Sequence, residues 1–418
     1  MKVKPLATRA KKAASLLSLA STKQKNEALQ ALVDLLSTEE DRILGANSQD
    51  VEDGLAAGLS EALIDRLSLE GRLGGIVSDL SHVIALEDPV GQRFEPKELA
   101  SGLKVFKQRV PIGVIGVIYE ARPNVTLDVA SLCIKSGNGA LLRGGSETLR
   151  TNREIVRIIK IALAQAGLPE DAVEFIDSPD RALVNEMLTL HEEIDLIIPR
   201  GGASLHRFCR EHSSIPVITG GIGICHLFVD KTADLKKSLP LLYNAKTQRP
   251  TVCNALDTVL IHKEIAKEFL PSLLSYFSGS GVSFRFDTLS YEILSEEEQR
   301  TGLKAGLDDF STEWLDLILG VRIVSGLDEA IEHIQKHSTG HSDGILTGSE
   351  ENSAKFIRQI DSACVYVNAS TRFTDGSQMG LGAEVAISTQ KIHARGPMAL
   401  KELTSYKWVV EGDYTIRS

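Results

Sequence analysis

Short apolar segments alternate with amphipathic ones from about residue 110 onward, and this alternation restricts the chain to a small set of folds. Six short, mainly apolar segments are candidate strands: Val110–Tyr119, Ala140–Arg143, Val173–Ile176, Ile194–Ile198, Pro216–Ile218 and His226–Val229. The intervening segments are predicted as helices: Val125–Lys135, Glu147–Ala166, Arg181–Leu190 and Ala203–Glu211. Strands that are apolar on both faces and separated by helices predict a parallel sheet with helices on both sides.

A second α/β unit is predicted from about residue 231 to residue 367. Its strands are expected at Asp257–His262, Leu317–Val324, Gly344–Thr347 and Cys364–Val367. The predicted fold class is therefore α/β, with two doubly wound domains. Such a fold is common among nucleotide-binding proteins, but it does not by itself establish a function.

The first 85 residues, the segment 87–109 and the C-terminus differ from this pattern. Apolar residues recur at helical spacing over Leu29–Leu36, and Ser37 with Glu40 has the capping-box spacing that predicts the start of the next helix. Residues 87–109 are rich in turns and contain two short strand-like pieces. Ser405–Val410 is predicted as a terminal strand, and such a strand usually pairs with another element.

Composition and charge exclude several classes of function. The net charge of -10 leaves no basic excess to neutralise the phosphates of a nucleic acid. No apolar run reaches the roughly 18 residues of a membrane span, and Met1–Pro5 lacks the apolar core of a signal peptide. The five cysteines show no paired spacing, and no cluster has metal-ligand spacing. We therefore expect a cytoplasmic protein without a metal, a membrane partner or a nucleic-acid partner.

Cys253 differs from the other cysteines in its surroundings. It lies in the polar loop Asn244–Ala255, with Lys246 and Arg249 nearby in sequence, and basic neighbours favour a thiolate. The other four cysteines lie in apolar segments and are predicted core residues: Cys133, Cys209, Cys225 and Cys364. From this contrast alone, Cys253 is either a nucleophile or an ordinary structural cysteine.

Two glycine-rich turns follow predicted strands and open helices. The residues of these turns are Arg143, Gly144 and Gly145 in the first, and Pro199, Arg200, Gly201, Gly202 and Ser204 in the second. Glycines let a ligand approach the backbone, and a helix N-terminus favours an anion. Neither turn has the GxGxxG spacing of the common dinucleotide fingerprint. Each turn alone is typical of an ordinary strand-to-helix connection, whereas two in adjacent units favour a dinucleotide site.

Tyr119–Asn124 lies at the carboxyl end of the first sheet strand, where open α/β sheets bind ligands. Asn124 can present its side-chain amide to an oxyanion, and Arg122 can pair with a phosphate or a carboxylate. The alternative for Asn124 is that it only caps the following helix.

The segment Val367–Gly376 follows the last strand of the second unit and is dense in hydroxyl and amide groups. Ser370, Thr371 and Arg372 suit a polar substrate that carries a carboxylate. A solvated loop has the same composition, so both interpretations stay open.

These motifs, in this order, resemble the aldehyde dehydrogenase superfamily over nearly the whole chain. Within it they are similar to the branch that reduces γ-glutamyl phosphate. The segments that carry the resemblance are Pro111–Thr126, Leu142–Glu147, Gln248–Asn254, Val367–Gly376, Leu381–Glu384 and Ser388–Pro397. Their combination is far more specific than any single motif.

The resemblance implies roles for individual residues. Cys253 falls where the superfamily keeps its nucleophile, and Asn124 falls where it keeps an oxyanion-binding amide. Arg143 stands where many members have a lysine that contacts the adenosine ribose. The turn at 199–202 matches the one beneath the cofactor pyrophosphate, and Glu313 is aligned with the glutamate that binds the nicotinamide ribose.

The resemblance also implies an aldehyde dehydrogenase-like architecture with a small β-type oligomerisation segment, and hence a homo-oligomer. The expected parts are a cofactor domain (1–86 and 110–230, with part of 368–393), a catalytic domain (231–367) and the oligomerisation segment (87–109 and 394–418).

The activity implied by the resemblance is NADPH-dependent reduction of L-glutamyl 5-phosphate to L-glutamate 5-semialdehyde through a Cys253 thioester, in proline biosynthesis. The glutamate kinase that makes this substrate is then a candidate partner. The residues expected at the substrate are Arg122, Arg249, Ser370, Thr371 and Arg372.

One departure from the wider superfamily separates the possible activities. Hydrolytic members place a glutamate base ahead of the nucleophile, whereas Ile218–Gly223 contains no carboxylate, which favours the reductase branch. The alternatives are a coenzyme-A-acylating or hydrolytic aldehyde dehydrogenase, or a non-enzymatic binding protein on the same scaffold.

Overall fold

Helices make up much of the chain in the computed structural model, which describes residues 2–220 and 222–417. Within these residues the α-helices are α1 (Val3–Leu17), α2 (Thr22–Thr38), α3 (Glu40–Ala56), α4 (Glu61–Leu67), α5 (Leu73–Ala85), α6 (Asn124–Lys135), α7 (Leu149–Gln165), α8 (Ala182–Met187), α9 (Ala203–His212), α10 (Leu235–Thr247), α11 (Lys263–Tyr276), α12 (Thr288–Ile293), α13 (Glu296–Gln299), α14 (Leu327–His337) and α15 (Glu350–Gln359). Short 3-10 helices occur at Ser146–Thr148, Glu170–Ala172, Asp309–Ser311 and Thr371–Phe373.

The strands of the described residues form four sheets. They are β1 (Arg93–Glu98), β2 (Lys104–Pro111), β3 (Val114–Tyr119), β4 (Gly139–Arg143), β5 (Val173–Phe175), β6 (Leu196–Arg200), β7 (Cys225–Val229), β8 (Leu256–His262), β9 (Ser283–Phe286), β10 (Gly302–Lys304), β11 (Ile318–Val324), β12 (Ser342–Leu346), β13 (Cys364–Val367), β14 (Ala386–Ser388), β15 (Gly396–Met398) and β16 (Thr404–Glu411).

The first compact unit comprises Met1–Thr219, Gly380–Ala386 and Met398–Ser418. Its main sheet is parallel, with the strand order β5-β4-β3-β6. The chain passes outward from β3 to β4 and β5 and then returns to the other side of β3 as β6. The carboxyl ends of β3 and β6 therefore flank the point where the strand order reverses, which is where doubly wound sheets bind ligands.

Small apolar side chains of α1 pack against this sheet. Ala10 and Ala14 belong to the same buried cluster as Val114 and Leu141. A Cβ atom at Gly139 would lie 2.9 Å from the Cβ of Ala14, so a glycine is required where the helix crosses the start of β4. The alanines thus allow α1 to approach the sheet closely.

The second compact unit comprises Gly220–Met379 and Ile387–Pro397. Its sheet has seven parallel strands in the order β10-β9-β11-β8-β7-β12-β13. Helices α10 and α11 cover one face, with Phe269 at the centre of a buried cluster, and α14 and α15 cover the other face with Phe356. Because both faces are covered, β7 and β8 are buried at every position.

A separate antiparallel sheet has the strand order β1-β2-β16. The C-terminal strand β16 pairs with β2 over its full length, from Thr404 opposite Pro111 to Glu411 opposite Lys104. The two strand-like pieces predicted at 87–109 and the predicted terminal strand are therefore confirmed. They pair with one another, since β2 lies between β1 and β16. No helix of the described residues is long and apolar enough to cross a membrane.

Several predicted boundaries are wrong for identifiable reasons. The strand predicted at Ile194–Ile198 is β6, which continues through Pro199 because β6 is an edge strand there and a missing N–H costs no ladder hydrogen bond. Pro216–Ile218 contributes only an isolated bridge between Val217 and Ile197. His226–Val229, predicted in the first sheet, is β7 of the seven-stranded sheet, since a fully apolar strand suits either core.

The capping box predicted at Ser37 and Glu40 is also wrong. Ser37 lies inside α2, where its hydroxyl donates to Val33 O at 3.4 Å. The capping box lies instead at the start of α2, between Ser21 and Gln24. The same sequence spacing occurs at both places, and only the continuing apolar face of α2 distinguishes them.

Candidate active site

Cys253 lies on the loop between α10 and β8 and is half-buried, whereas the other four cysteines are buried. Burial raises the pKa of the Cys133 thiol to about 12 and, together with the charge of Glu120, that of Cys209 to about 11. Burial also raises the pKa of Cys225 well above its ordinary value. The prediction of four core cysteines is confirmed, and Cys253 has the solvent access that a nucleophile needs.

The residue after Cys253 is held by the loop at 370–374. Asn254 Nδ2 donates to Thr374 O at 2.9 Å and to Arg372 O at 3.4 Å. The carbonyl oxygen of Asn254 accepts from Thr371 Oγ1 at 2.7 Å. These three hydrogen bonds fix the 370–374 loop, and with it Arg372, on the loop that carries Cys253.

Ser370 and Thr371, predicted near the substrate, are both buried and use their hydroxyl groups within the protein. Ser370 Oγ donates to Asn244 Oδ1 at 2.9 Å, and Thr371 Oγ1 donates to the Asn254 carbonyl. Their hydroxyl groups therefore hold the loop in place, and a contact with the substrate stays a prediction.

Arg372 is oriented by Gln248, whose Oε1 accepts from Arg372 Nε at 2.8 Å. Burial and the positive charge of Arg249 lower the pKa of Arg372, whereas Cys253 and Asp375 act in the opposite direction. The guanidinium groups of Arg249 and Arg372 and the thiol of Cys253 therefore share one electrostatic neighbourhood.

The segment 222–225 packs directly behind the nucleophile loop. A Cβ atom at Gly223 would lie 1.5 Å from the carbonyl oxygen of Cys253, so no side chain fits there. Cys225 Sγ donates to the same oxygen at 3.3 Å. The hydroxyl of Thr339 bonds to the backbone on both sides of Gly223, which holds the segment in position.

Glu313 reaches this segment from the loop between the 3-10 helix Asp309–Ser311 and β11. Its Oε1 accepts from Gly223 N at 2.8 Å. Burial raises the pKa of the Glu313 carboxyl to about 7; the Gly223 hydrogen bond opposes this shift and the charge of Asp257 adds to it. Glu313 thus contacts Gly223, which packs against the backbone of Cys253. Its contact with the nicotinamide ribose stays a prediction.

Asp257 is a member of the site that sequence reasoning missed. Its Oδ1 accepts from Trp314 N at 3.2 Å and its Oδ2 from Cys225 N at 3.3 Å. Burial raises the pKa of Asp257 to about 6, against the opposing charge of Lys246. Its sequence signal is an acidic residue near the start of a mainly apolar strand, four residues after the candidate nucleophile.

Lys246 does not lie beside the thiol as a solvent-exposed cation. It is fully buried, and its Nζ lies 3.7 Å from Asp257 Oδ1 without a hydrogen bond to the described residues. Burial lowers its pKa, and the neighbouring Asp257 opposes that shift. The expectation that Lys246 favours the Cys253 thiolate is therefore weaker than that for Arg249, because its charge is largely balanced by Asp257.

All these groups gather at the amino edge of the seven-stranded sheet. Gly223 precedes β7, Cys253 precedes β8 and Glu313 precedes β11. The 370–374 loop follows the carboxyl end of β13 but folds back to this edge, where Thr374 Oγ1 and Ser342 Oγ, at the start of β12, are hydrogen-bonded at 2.6 Å.

In the first unit, the two predicted turns lie at the carboxyl ends of β4 and β6. Glu120 Oε2 accepts from Gly202 N at 3.1 Å, at the start of α9. A Cβ atom at Gly201 would lie 2.5 Å from the same Glu120 oxygen. The Glu120 carboxylate shows that this turn offers a backbone donor to an anionic oxygen, as a pyrophosphate site requires. Ser204 is exposed on the first turn of α9.

The turn after β4 is shaped by Glu147. Its Oε1 accepts from Ala121 N at 2.6 Å, and a Cβ atom at Gly145 would lie 2.0 Å from the same oxygen. A Cβ atom at Gly144 would lie 2.2 Å from Asn152 Nδ2. Gly144 is therefore required by close packing against buried side chains, whereas a side chain at Gly145 would displace the Glu147 carboxylate.

Arg143 ends β4 and is largely buried. Its Nη2 donates to Pro179 O at 3.2 Å, while its buried Nε has no hydrogen-bond partner among the described residues. Burial lowers its pKa, with Arg181 adding to the shift and Glu147 opposing it. A buried guanidinium group with an unused N–H donor suits an anionic group of a dinucleotide, so Arg143 fits such a cofactor.

Asn124 is the first residue of α6, and its Nδ2 donates to Asp128 Oδ2 at 3.0 Å. The N-cap of α6 is Pro123, without a side-chain capping bond, so the alternative that Asn124 only caps this helix is wrong. Burial raises the pKa of Asp128 to about 6. Arg122 is half-buried in the turn between β3 and α6. The oxyanion role of Asn124 and the substrate role of Arg122 stay predictions.

No group of three or more His, Cys, Asp or Glu side chains in residues 2–220 and 222–417 could hold a metal ion. The candidate chemistry therefore consists of a thiol, two guanidinium groups and a carboxyl with a raised pKa in the second unit. The first unit contributes glycine turns and an arginine suited to an anionic ligand.

Comparisons with known proteins support the architecture and the family. The sequence profile of the aldehyde dehydrogenase family matches residues 1–322. Gamma-glutamyl phosphate reductase of Psychromonas ingrahamii is 54% identical over 418 residues, which is 100% of both chains. The protein of the same name from Escherichia coli is 54% identical over 411 residues, 98% of each chain.

The fold agrees with a solved structure over its full length. The crystal structure of gamma-glutamyl phosphate reductase from Thermotoga maritima matches with a TM-score of 0.97 and 47% identity, and covers 100% of both chains. The predicted aldehyde dehydrogenase-like α/β fold is thereby confirmed. This chain belongs to the aldehyde dehydrogenase family.

Proposed function

We propose that the protein reduces L-glutamyl 5-phosphate to L-glutamate 5-semialdehyde and phosphate, a step of proline biosynthesis. Full-length relatives named gamma-glutamyl phosphate reductase support this activity. The observation that carries it is the environment of Cys253: a half-buried thiol with Arg249 and Arg372 beside it, in a chain whose other cysteines are buried.

The thiolate of Cys253 is proposed to attack the acyl carbon of the substrate and displace phosphate, which leaves a thioester on Sγ. This covalent route divides one difficult reduction into two easier steps. The backbone N–H of Cys253 is proposed as one donor to the oxyanion, and the Asn124 amide as a second, on the basis of the resemblance.

NADPH is the proposed cofactor, and when bound it supplies the hydride that reduces the thioester. Arg143 is proposed to bind the adenosine end, because it is a buried cation with an unpartnered Nε. The residues proposed at the ribose and pyrophosphate are Gly144, Gly145, Pro199, Arg200, Gly201, Gly202 and Ser204. Glu313 is proposed to accept hydrogen bonds from the nicotinamide ribose.

A hydrolytic dehydrogenase is the second candidate, and Glu313 is the observation that favours it. The segment 218–223, part of which (Gly221) lies outside the described residues, contributes no carboxylate. Glu313, however, is hydrogen-bonded to Gly223, which packs against Cys253. A carboxyl whose pKa is raised to about 7 suits a general base that activates water, so acceptor dependence must separate the two activities.

The chain is also proposed to form a homo-oligomer through β16. Within the described residues β16 pairs only with β2, so its other edge carries unpaired backbone groups. Trp408 and Tyr406 are exposed on this strand. Sedimentation of a variant with Trp408→Glu tests the oligomer; a mass equal to that of the wild-type protein would contradict a role of β16.

The kinase that makes glutamyl phosphate is a proposed partner, since an acyl phosphate hydrolyses readily in water.

Replacement of Cys253 tests the function directly. Cys253→Ala is expected to abolish NADPH-dependent reduction of glutamyl phosphate while the protein stays folded and still binds the cofactor. Cys209→Ser is the matched control. Because Cys209 is buried in α9, its replacement is expected to lower the stability of the protein while the catalytic activity is retained. A Cys253→Ala protein that kept a tenth of the wild-type activity would exclude the covalent route.

A further inference from the structure

Two arginines belong to the surroundings of Cys253. Arg249 is exposed on the nucleophile loop, and Arg372 is half-buried in the 3-10 helix Thr371–Phe373. Among the described residues, neither arginine forms an ion pair with an aspartate or a glutamate. Like charges that are held close together repel each other, and an anion between them relieves this repulsion. The arrangement therefore indicates a site for an anionic ligand.

Arg372 is held in place on two sides. Its Nε donates to Gln248 Oε1 at 2.8 Å, and its carbonyl oxygen accepts from Asn254 Nδ2 at 3.4 Å. Gln248 directly precedes Arg249, and Asn254 directly follows Cys253. The guanidinium group is therefore fixed across the loop that carries both the second arginine and the thiol, and such a planar fork matches the geometry of a phosphate.

The local charge balance also favours an anion. Asp375 is the acidic neighbour of Arg372, but its Oδ1 accepts from Ser377 N at 2.9 Å and from Gln378 N at 3.1 Å. Its carboxylate is thus engaged with its own turn. The one carboxylate that acts on the pKa of Arg372 is therefore already engaged, whereas Arg249 adds a second positive charge beside Arg372.

We propose that Arg249 and Arg372 together form the phosphate subsite, so that phosphate is the group exchanged at Cys253. This inference rests on the proposed function and assigns Arg372 to the phosphate rather than to the substrate carboxylate. As the Cys253 Sγ–carbon bond forms, the bond between the acyl carbon and the phosphate oxygen breaks. The electron pair leaves on that oxygen, and the two guanidinium groups stabilise its added charge. In the reverse direction, the same pair holds inorganic phosphate for attack on the thioester.

Alkylation of Cys253 tests the subsite without turnover. Iodoacetamide reacts with accessible thiols, and mass spectrometry identifies the cysteine modified. Inorganic phosphate is expected to slow alkylation of wild-type Cys253, and Arg249→Gln and Arg372→Gln are expected to lose this protection. Arg358→Gln is the matched control, because Arg358 is exposed on α15 of the same unit, and it should keep the protection.

The kinetic test is the Michaelis constant for phosphate in the oxidation of glutamate semialdehyde. Each Gln variant is expected to raise it about 10- to 100-fold, the usual effect of losing a hydrogen bond to a charged group. The constant for NADP⁺ should stay unchanged, and melting temperatures identify a variant that has merely unfolded.

The two possible failures can be told apart. Phosphate that protects the wild type and both Gln variants equally, with unchanged constants for phosphate, overturns the subsite while Cys253-dependent reduction stands. A Cys253→Ala protein that remains active overturns the proposed function itself. If a Gln variant does not fold, the ratio of iodoacetate to iodoacetamide rates at wild-type Cys253 supplies the result: a ratio well above that of free cysteine supports the charged pair, and a ratio near that of free cysteine overturns it.

Discussion

Gly223→Ala places a single methyl group against the backbone of the nucleophile. The new Cβ would lie 1.5 Å from the Cys253 carbonyl oxygen, whereas real Cβ atoms keep at least 3.0 Å, so one of the two segments must shift by 1.5 Å (3.0 minus 1.5). A misplacement of about 1 Å at a reacting group costs about 10²-fold in rate. We therefore expect kcat/KM for glutamyl phosphate to fall by about 10²-fold or more, with a loss of roughly 1–3 kcal/mol in the free energy of unfolding from overpacking.

Gly302→Ala separates this effect from a general loss of stability. Its Cβ would lie 2.4 Å from Phe284 O, a backbone clash in the same unit but at the far edge of the sheet, in β10. Steady-state kinetics, the rate of Cys253 alkylation and the denaturant midpoint are measured for both variants. The reasoning fails if folded Gly223→Ala keeps the wild-type kcat/KM, or if Gly302→Ala loses as much activity at equal stability.

Three further predictions follow from single residues. Arg143→Ala should weaken NADPH binding more than NADH binding, because an Arg–phosphate pair is about twice as strong as a neutral hydrogen bond; equal losses in a fluorescence titration would leave Arg143 as a ribose or structural contact. Burial raises the pKa of Glu313 to about 7, so cofactor affinity should rise as the pH rises through 7, and Glu313→Gln should remove this dependence; an unchanged pH profile would argue against a ribose contact. Burial lowers the pKa of His333 to about 2, so the unfolded chain binds the extra proton below its pKa of about 6.5. Stability should be fully present above pH 6.5 and fall by about 1.4 kcal/mol per pH unit below it, and His333→Phe should flatten this slope in thermal melts; a parallel slope would refute the assignment.

The sequence distinguishes Cys253 from the other four cysteines because the difference lies in the residues next to each cysteine along the chain. Each of the four core cysteines has at least one apolar neighbour and lies in or next to a predicted strand or helix, whereas Cys253 lies in a polar loop, so the local sequence already indicates burial. The alternation of strands and helices is local in the same sense, and it predicts both parallel sheets. Membership of β7 in one sheet or the other is not local, because a strand that is apolar on both faces fits either core.

The surroundings of Cys253 depend on contacts between distant segments. Gly223, Asp257 and Glu313 meet because β7, β8 and β11 begin at the same edge of one sheet. Nothing in the sequence near Asp257 shows that its carboxylate accepts from Trp314 N, 57 residues further along the chain. The fold-back of the 370–374 loop onto Asn254 is likewise a tertiary feature, and it explains why Thr371 could be predicted as a substrate residue when its hydroxyl is used to hold the loop.

Phosphate, and not water, is expected to release the acyl group from Cys253. The direct measurement is NADPH absorbance during oxidation of glutamate semialdehyde with NADP⁺, in a buffer without phosphate. We expect a burst of one NADPH per active site followed by a stall, because the segment 218–223 contains no carboxylate that could act as a base toward water. Added phosphate or arsenate should restore steady turnover. Sustained turnover without phosphate, with free glutamate as the product, would contradict this expectation and would favour the hydrolytic dehydrogenase.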